Sequence, residues 1–307
     1  MAMMSSVQPS CCGTALYTDS ASFGEMRDSS ADLGNAAELR QRMQSDGYLY
    51  LPGLLERPAV LEARREVCCR LANAEYVRSG TDPLECVAAP DKTSAFMPEV
   101  IARGNAALFQ VLYHGAMMQF WSAFLGGDVR HFDYTWFRTV FPGQGTPPHC
   151  DVVYMGRGTP NLYTAWTPIG DIGLDMGGLA ILEASNNHKK LRESYCTMDV
   201  DAHCANREGR AGMDAWQKGT DGHLGKNLNQ IRKSLGGRWL TRDLFRAGDV
   251  VVFSVFTVHA GLDNQTGDRI RLSSDSRYQL ATEPADDRWI GENPAGHGAA
   301  GKRALIC

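Results

Sequence analysis

Hydrophobic positions recur at helical spacing up to about residue 125 and at strand-like density after it, and this change of period sets the expected architecture. Residues 1 to about 33 are rich in Ser, Met and Ala without a steady period, and read as a flexible leader. A helix is expected over 36–45, ending at Asp46-Gly47, followed by a short strand over 48–51 that Pro52-Gly53 stops. Pro58 suits the first turn of a second helix, along which Val60, Val67, Leu71 and Ala74 share a face before Gly80. Asn105 caps a third helix over 106–125, closed by Gly126-Gly127, and its Met117, Met118, Phe120, Trp121 and Phe124 read as core.

From Gly127 onward β-branched and aromatic runs dominate, over 129–141, 161–169, 178–183, 249–258 and 269–280. Pro142-Gly143, Gly177-Gly178, Gly248-Asp249 and Gly261 punctuate them. Short strands without intervening helices predict an antiparallel sandwich or barrel, mainly β, with the earlier helices flanking one sheet. The polar stretch at about 186–245, with a helix over 228–235, is too long for a plain connection and reads as a cover or insertion within a single domain over 34–307.

Composition narrows the function classes. The 307 residues are 43% apolar and 21% charged, ample for a large core, and the net charge is −4. With no Lys/Arg-rich run there is no electrostatic grip for nucleic acid. No stretch approaches the roughly 20 apolar residues of a membrane helix, and the start lacks a basic segment followed by an apolar one, so a cytoplasmic protein is expected. Nine cysteines, with vicinal pairs at Cys11-Cys12 and Cys68-Cys69, suit reduced thiols better than a disulfide framework. Cys196, His203 and Cys204 lack the spacing of a zinc site.

The candidate chemistry begins at His149-Cys150-Asp151, behind Pro147-Pro148. On a strand, residues i and i+2 point to one face, so both side chains can reach one ion. His-x-Asp is a weak signal alone, and His131-Phe132-Asp133 has the same form. An inward charge within that aromatic strand would be costly, whereas the Gly/Pro-rich turn before His149 leaves a metal open to solvent and substrate, which favours the second pair. His259 follows the run from Val250 to Val258. A lone histidine there is ordinarily a core residue, but Ala260-Gly261 leaves room beside the ring. The next strand opens with Arg269-Ile270-Arg271-Leu272-Ser273, and alternation puts Arg269, Arg271 and Ser273 on one face. Two imidazoles, one carboxylate and a buried arginine for an acidic cosubstrate form the layout of a mononuclear iron(II) oxygenase.

These residues resemble the phytanoyl-CoA dioxygenase family of iron(II)- and 2-oxoglutarate-dependent oxygenases. The matching pieces are Thr146-Pro147-Pro148-His149-Cys150-Asp151, Tyr163-Thr164-Ala165-Trp166-Thr167-Pro168, Met176-Gly177-Gly178-Leu179-Ala180-Ile181-Leu182-Glu183 and Val258-His259-Ala260-Gly261-Leu262-Asp263-Asn264, with Arg269 to Ser273. They keep the family's order and spacing over most of residues 45 to 280.

The resemblance implies a double-stranded β-helix (jelly roll, cupin-like) and iron(II) held by His149, Asp151 and His259. It implies Arg271, with Arg269 the alternative, on the distal carboxylate of 2-oxoglutarate, and Trp166 at the cosubstrate pocket. O2 and 2-oxoglutarate are the implied cosubstrates, a small organic molecule the substrate, and succinate and CO2 the co-products. Retention of Asp151 points to hydroxylation rather than halogenation. Two departures bear on the substrate: Ala184-Ser185-Asn186-Asn187-His188 replaces the usual Gly-Thr/Ser-His, and the region from Lys189 to Phe245 diverges. Lys189, Lys190, Lys226, Arg232 and Lys233 are compatible with the phosphates of a CoA ester, but a non-CoA metabolite is favoured. The competing reading is a catalytically silent jelly roll that binds a metal or metabolite.

Overall fold

The computed structural model describes residues 7–93, 95–96, 98–204, 222–297 and 301–305. In chain order the first strands are β1 (Ser10–Cys11), β2 (Thr14–Ala15) and β3 (Phe23–Glu25), then α1 (Ala36–Asp46), β4 (Tyr48–Leu51), α2 (Arg57–Asn73), β5 (Ala95–Phe96), α3 (Ala106–Tyr113) and α4 (Gly115–Leu125). The middle of the chain holds β6 (Val129–His131), β7 (Trp136–Val140), β8 (Thr146–His149), α5 (Val152–Met155), β9 (Tyr163–Pro168), β10 (Ile172–Gly173) and β11 (Leu179–Leu182). After α6 (Lys189–Glu193) and β12 (Ala202–Cys204) come α7 (Leu228–Leu235), β13 (Trp239–Thr241), β14 (Leu244–Phe245), β15 (Val250–Ser254), β16 (His259–Gly261), β17 (Arg271–Leu280) and β18 (Arg303–Leu305).

Two sheets carry the architecture. A seven-stranded antiparallel sheet runs β4-β15-β9-β17-β7-β5 with β6 also paired to β17, and a five-stranded sheet runs β3-β13-β11-β16-β8. In the second sheet only β13 and β3 pair in parallel. Helices α1 to α4 bury their apolar stripes against the outer face of the larger sheet, where Leu39, Val67, Leu108 and Trp121 meet Ala165, Val250, Leu272 and Tyr278. Trp121 stacks on Tyr278 at 4.8 Å. Strand period then decides the opposite face: with Leu272 and Tyr278 turned to the helices, Arg271, Ser273, Asp275 and Arg277 of β17 point toward the five-stranded sheet.

Several sequence expectations are corrected. The leader expected over 1–33 is packed from residue 7 onward: Cys11, Leu16, Phe23 and Met26 are buried, and β3 extends the smaller sheet beside β13. The helix expected over 106–125 is two helices, because His114 is extended and Gly115 has φ +53°. The run over 129–141 breaks at Phe132–Thr135, and both halves pair with β17. The apolar run over 249–258 is not one strand. It turns after Ser254, where Thr257 N–H bonds the Ser254 carbonyl and the Thr257 hydroxyl bonds Gly47 O, so the chain crosses from one sheet to the other. His259 therefore starts β16 rather than ending β15. The cover over 186–245 includes true sheet, since β13 lies between β11 and β3, while α7 forms where its pattern places it. The side chains of His203 and Cys204 lie outside the described residues, so the rejected zinc cluster has no structural counterpart to report. Among the described residues no helix is long and apolar enough to cross a membrane.

Candidate metal and cosubstrate site

The turn through Gly143 and Gly145 delivers β8 antiparallel to β16, with His149 directly opposite His259 in the register. The strand ends there. Asp151 has helical backbone angles (φ −62°, ψ −26°) and begins α5, with Met155 N–H bonded to its carbonyl. The carboxylate thus returns beneath His149 through a helical turn, not through the strand alternation expected from the spacing.

His149 Nε2 lies 3.7 Å and His259 Nε2 3.6 Å from Asp151 Oδ1, and the two imidazole centroids are 4.3 Å apart. His149 Nδ1 contacts the Pro147 carbonyl at 2.8 Å, and His259 Nδ1 the Thr257 carbonyl at 3.0 Å. A carbonyl only accepts, so each Nδ1 carries the proton and each Nε2 turns a lone pair toward Asp151 Oδ1. Burial, followed by the neighbouring His259, pushes the His149 pKa well down, and burial pushes His259 down too, so both rings are the neutral form a metal requires. Among the described residues this is the one group of three such side chains able to share an ion.

Asp151 is itself held from behind. Its Oδ2 accepts the Thr164 hydroxyl at 2.5 Å and Arg277 Nη2 at 3.0 Å, and Arg277 lies over the Trp136 ring at 4.3 Å. Burial acts to raise this carboxyl, but Arg277, then His259 and His149, and the Thr164 hydroxyl outweigh it and hold it below the usual carboxylate range. Oδ1 is left to face the two imidazoles.

Beside the triad a narrow cavity is lined by Trp166, Leu179, Gly261, Arg271 and Asp275, together with both histidines and Arg138. Arg271 is 2% exposed, with Nη1 donating to the carbonyls of Gly177 and Leu262 and Nε without a partner. Burial, then repulsion from Arg138, brings its pKa down to about 10. Ser273, next along the same face, is fully buried with an unpartnered hydroxyl. A Cβ on Gly261 would stand 3.1 Å from Arg271 Nη2 and 3.2 Å from Thr146 Oγ1, so glycine keeps this wall open. Arg269 is exposed, its backbone carbonyl taken by Asn264 and Thr266. The structure therefore brings together His149, Asp151, His259, Arg271, Ser273 and Trp166, and leaves Arg269 outside.

The rival pair stays apart from all of this. His131 stacks on Tyr113 at 4.1 Å, while Asp133 accepts Gly291 N–H and is partly exposed at the surface.

Two imidazole nitrogens and one carboxylate oxygen on one side, with an orphaned guanidinium nitrogen and hydroxyl nearby, fit a facially bound iron(II) and a dicarboxylate. Residues 43–273 match the phytanoyl-CoA dioxygenase (PhyH) family. The chain belongs to that family. It is an iron- and 2-oxoglutarate-dependent oxygenase. Among its relatives is a 1-deoxypentalenic acid 11-beta-hydroxylase of Streptomyces arenae, 27% identical over 279 residues that cover 85% of this chain and 87% of that protein. Solved structures with the same fold include the alpha-ketoglutarate-dependent carbocyclase SnoK from nogalamycin biosynthesis, at 15% identity, TM-score 0.57 and coverage of 85% and 90%. The epimerase SnoN, in complex with Fe3+, alpha ketoglutarate and nogalamycin RO, follows at 17% identity, TM-score 0.51 and coverage of 89% and 95%.

For this PhyH-family chain the sequence reading missed several site residues. Arg277 had a signal, because it lies six positions after Arg271 on the same alternating face. Arg138 had one too, a charge inside an aromatic strand; it pairs with Asp275. Trp289, His223 and His297 had none. They come from the divergent segment and the C-terminal residues, and with Tyr134, Trp136 and Tyr154 they wall a cavity of about 320 Å³ that opens onto His149 and Asp151.

Proposed function

We propose that His149, Asp151 and His259 ligate iron(II), that Arg271 with Ser273 and Trp166 seats 2-oxoglutarate, and that the enzyme hydroxylates a compact, largely apolar carboxylic acid. In this reading the two facing sheets form a double-stranded β-helix. The observation that carries it is the convergence of two bare Nε2 atoms and Asp151 Oδ1 between a cavity holding Arg271 and a second one walled by aromatic rings.

Iron bound there supplies the dioxygen chemistry, in which 2-oxoglutarate gives succinate and CO2 and one oxygen atom goes to the substrate. The chain's own residues do the rest. The Pro147 and Thr257 carbonyls fix the imidazole orientations, and Arg277 with Thr164 commits Asp151 to a single free oxygen. Arg271 offers Nε and Nη2 in fork geometry to a carboxylate. Arg138 neutralises Asp275, which would otherwise repel a dicarboxylate. Tyr134, Trp136, Tyr154 and Trp289 exclude water around the substrate and give it planar apolar walls.

At about 320 Å³ the substrate cavity lies at the small end of the roughly 300–1,000 Å³ typical of ligand sites, which favours a free small molecule over a CoA ester. The hydroxylase relative, named for an acid, supports the same class.

Anaerobic addition of iron(II) and 2-oxoglutarate is expected to give a visible metal-to-ligand charge-transfer band, absent in His149→Ala and His259→Ala. An unchanged band in either variant would mean that the ligands are others. Arg271→Ala is expected to raise the KM for 2-oxoglutarate by roughly tenfold or more while Arg269→Ala leaves it unchanged; the reverse result would reject the cosubstrate assignment. Substrate-stimulated succinate release, screened with 1-deoxypentalenic acid and other compact apolar carboxylic acids, their methyl esters and acyl-CoA thioesters, reads the substrate class. Stimulation by the thioesters alone would overturn it.

A further inference from the structure

Away from the iron site, α2 and the turn after it bring two thiols into contact. Cys68 points inward from α2, and Cys86 ends the short turn Pro83–Glu85 with φ +49°. A non-glycine residue keeps a left-handed backbone only where its surroundings impose it. Here Cys86 N–H bonds Pro83 O at 3.0 Å, and Cys86 O accepts Ile270 N–H at 2.8 Å. Both cysteines are fully buried, and their sulfurs lie 2.8 Å apart. We propose that Cys68 and Cys86 are an oxidation site, at which a small hydroperoxide joins the two thiols as an intramolecular disulfide.

The chemistry closes within the pair. The two sulfurs share one hydrogen bond in which either can donate, so one of them gives up its proton and becomes the attacking sulfur. Its thiolate attacks one peroxide oxygen, the O–O bond breaks, and the departing hydroxide takes the former thiol proton to leave as water. The other sulfur then displaces the hydroxyl of the resulting sulfenic acid, forming the S–S bond, and its proton leaves with that hydroxyl as a second water. Two thiols are oxidised and one hydroperoxide is reduced. Burial restricts the oxidant to a small molecule. Cys69, the adjacent exposed thiol, faces away from the pair on the outside of the helix.

The position gives the bond a structural consequence. The Cys86 segment straps the entry to β17: Ile270 N–H bonds Cys86 O, and Val87 bridges Arg269, two residues before Arg271. A bond across an 18-residue separation fastens α2 to that strap and restricts the unfolded chain.

The test uses the full-length protein. After incubation with hydrogen peroxide, it is alkylated with N-ethylmaleimide in denaturant and peptide-mapped. The expected product is one cross-linked peptide pair holding Cys68 and Cys86, two hydrogens lighter than the reduced peptides, with Cys69 alkylated. The oxidised protein is expected to melt roughly 5 °C higher, a gain that dithiothreitol removes. Complete alkylation of both cysteines after peroxide would overturn the proposal, as would a Cys86 disulfide that persists in Cys68→Ser. The mapping of the unsubstituted chain decides the matter even where that variant does not fold.

Discussion

Asp151 is 1% exposed, and a carboxylate so buried is stable only with cationic and hydrogen-bonding partners. Arg277 and Thr164 supply them on Oδ2. Deleting one partner of a buried ion pair costs about 3–5 kcal/mol, so Arg277→Met is expected to lower the melting temperature of the metal-free protein by many degrees and to weaken cobalt(II) binding. Arg277→Lys, which keeps the charge but loses the fork, should fall between. A metal-free Arg277→Met protein that melts with the parent would show that the ion pair does not hold Asp151. The sequence singled out His149, Asp151 and His259, and Arg271 with Arg269 as the alternative, because metal and carboxylate chemistry prescribes few residue types. Arg277 and Arg138 were less legible, because a charge in a strand acquires meaning only when its neighbour across the sheet is known.

At the scale of elements, residues 10–15 and 286–297 close on the two sheets, and neither closure follows from periodicity. The β1–β2 hairpin is fastened by Asp263, whose carboxylate accepts the Ser10 hydroxyl at 2.8 Å and the N–H groups of Cys12 and Gly13 at 2.8 and 2.9 Å. At the other end, Arg288 bonds Asp286 and Asp201, and His297 Nδ1 meets Asp201 Oδ2 at 2.8 Å while its ring lies 4.7 Å from Trp289 in the substrate cavity. Burial acts to raise the Asp201 carboxyl, but the hydrogen bond and charge of His297, then Arg288, outweigh it and hold it below its usual range. A carboxyl depressed on folding contributes stability that is complete above its unfolded pKa of about 4 and is lost as the pH falls from there through the folded value. Asp201→Asn at neutral pH, and the parent below about pH 4, are both expected to show smaller amide-exchange protection factors around Trp289 and His297. Equal exchange in variant and parent at neutral pH would remove Asp201 from the closure.

At the scale of the whole molecule, a metal bound only by the folded state stabilises all of it. Cobalt(II) at a hundred times its Kd is expected to add about 2.7 kcal/mol to the unfolding free energy, read as a rise in melting temperature under anaerobic conditions. The rise should vanish in His259→Ala. Because His149 and His259 sit on adjacent strands of one sheet, and Arg277 and Thr164 on the other, the ion would tie the two sheets together. A rise retained in His259→Ala would place the metal elsewhere.

The sequence by itself determined the class of element in each half of the chain and singled out His149, Asp151 and His259 as candidate iron ligands, with Arg269 or Arg271 for an acidic cosubstrate. These follow from local period and from the short list of groups able to bind iron or a carboxylate. Only the tertiary structure decided that Arg271 and not Arg269 is inside, because β17 begins at Arg271 while Arg269 lies just before it in the exposed turn that Val87 bridges, and the strands that pair with β17 lie far along the chain. It also decided that His259 opens a strand of the opposite sheet and that residues 10–15 and 286–297 pack on the two sheets. The residues walling the cavity that opens onto His149 and Asp151 came from β7, α5, the segment at His223 and residues 289–297. Contacts between segments so distant leave no periodicity to read, so the cavity emerged only when the chain was folded.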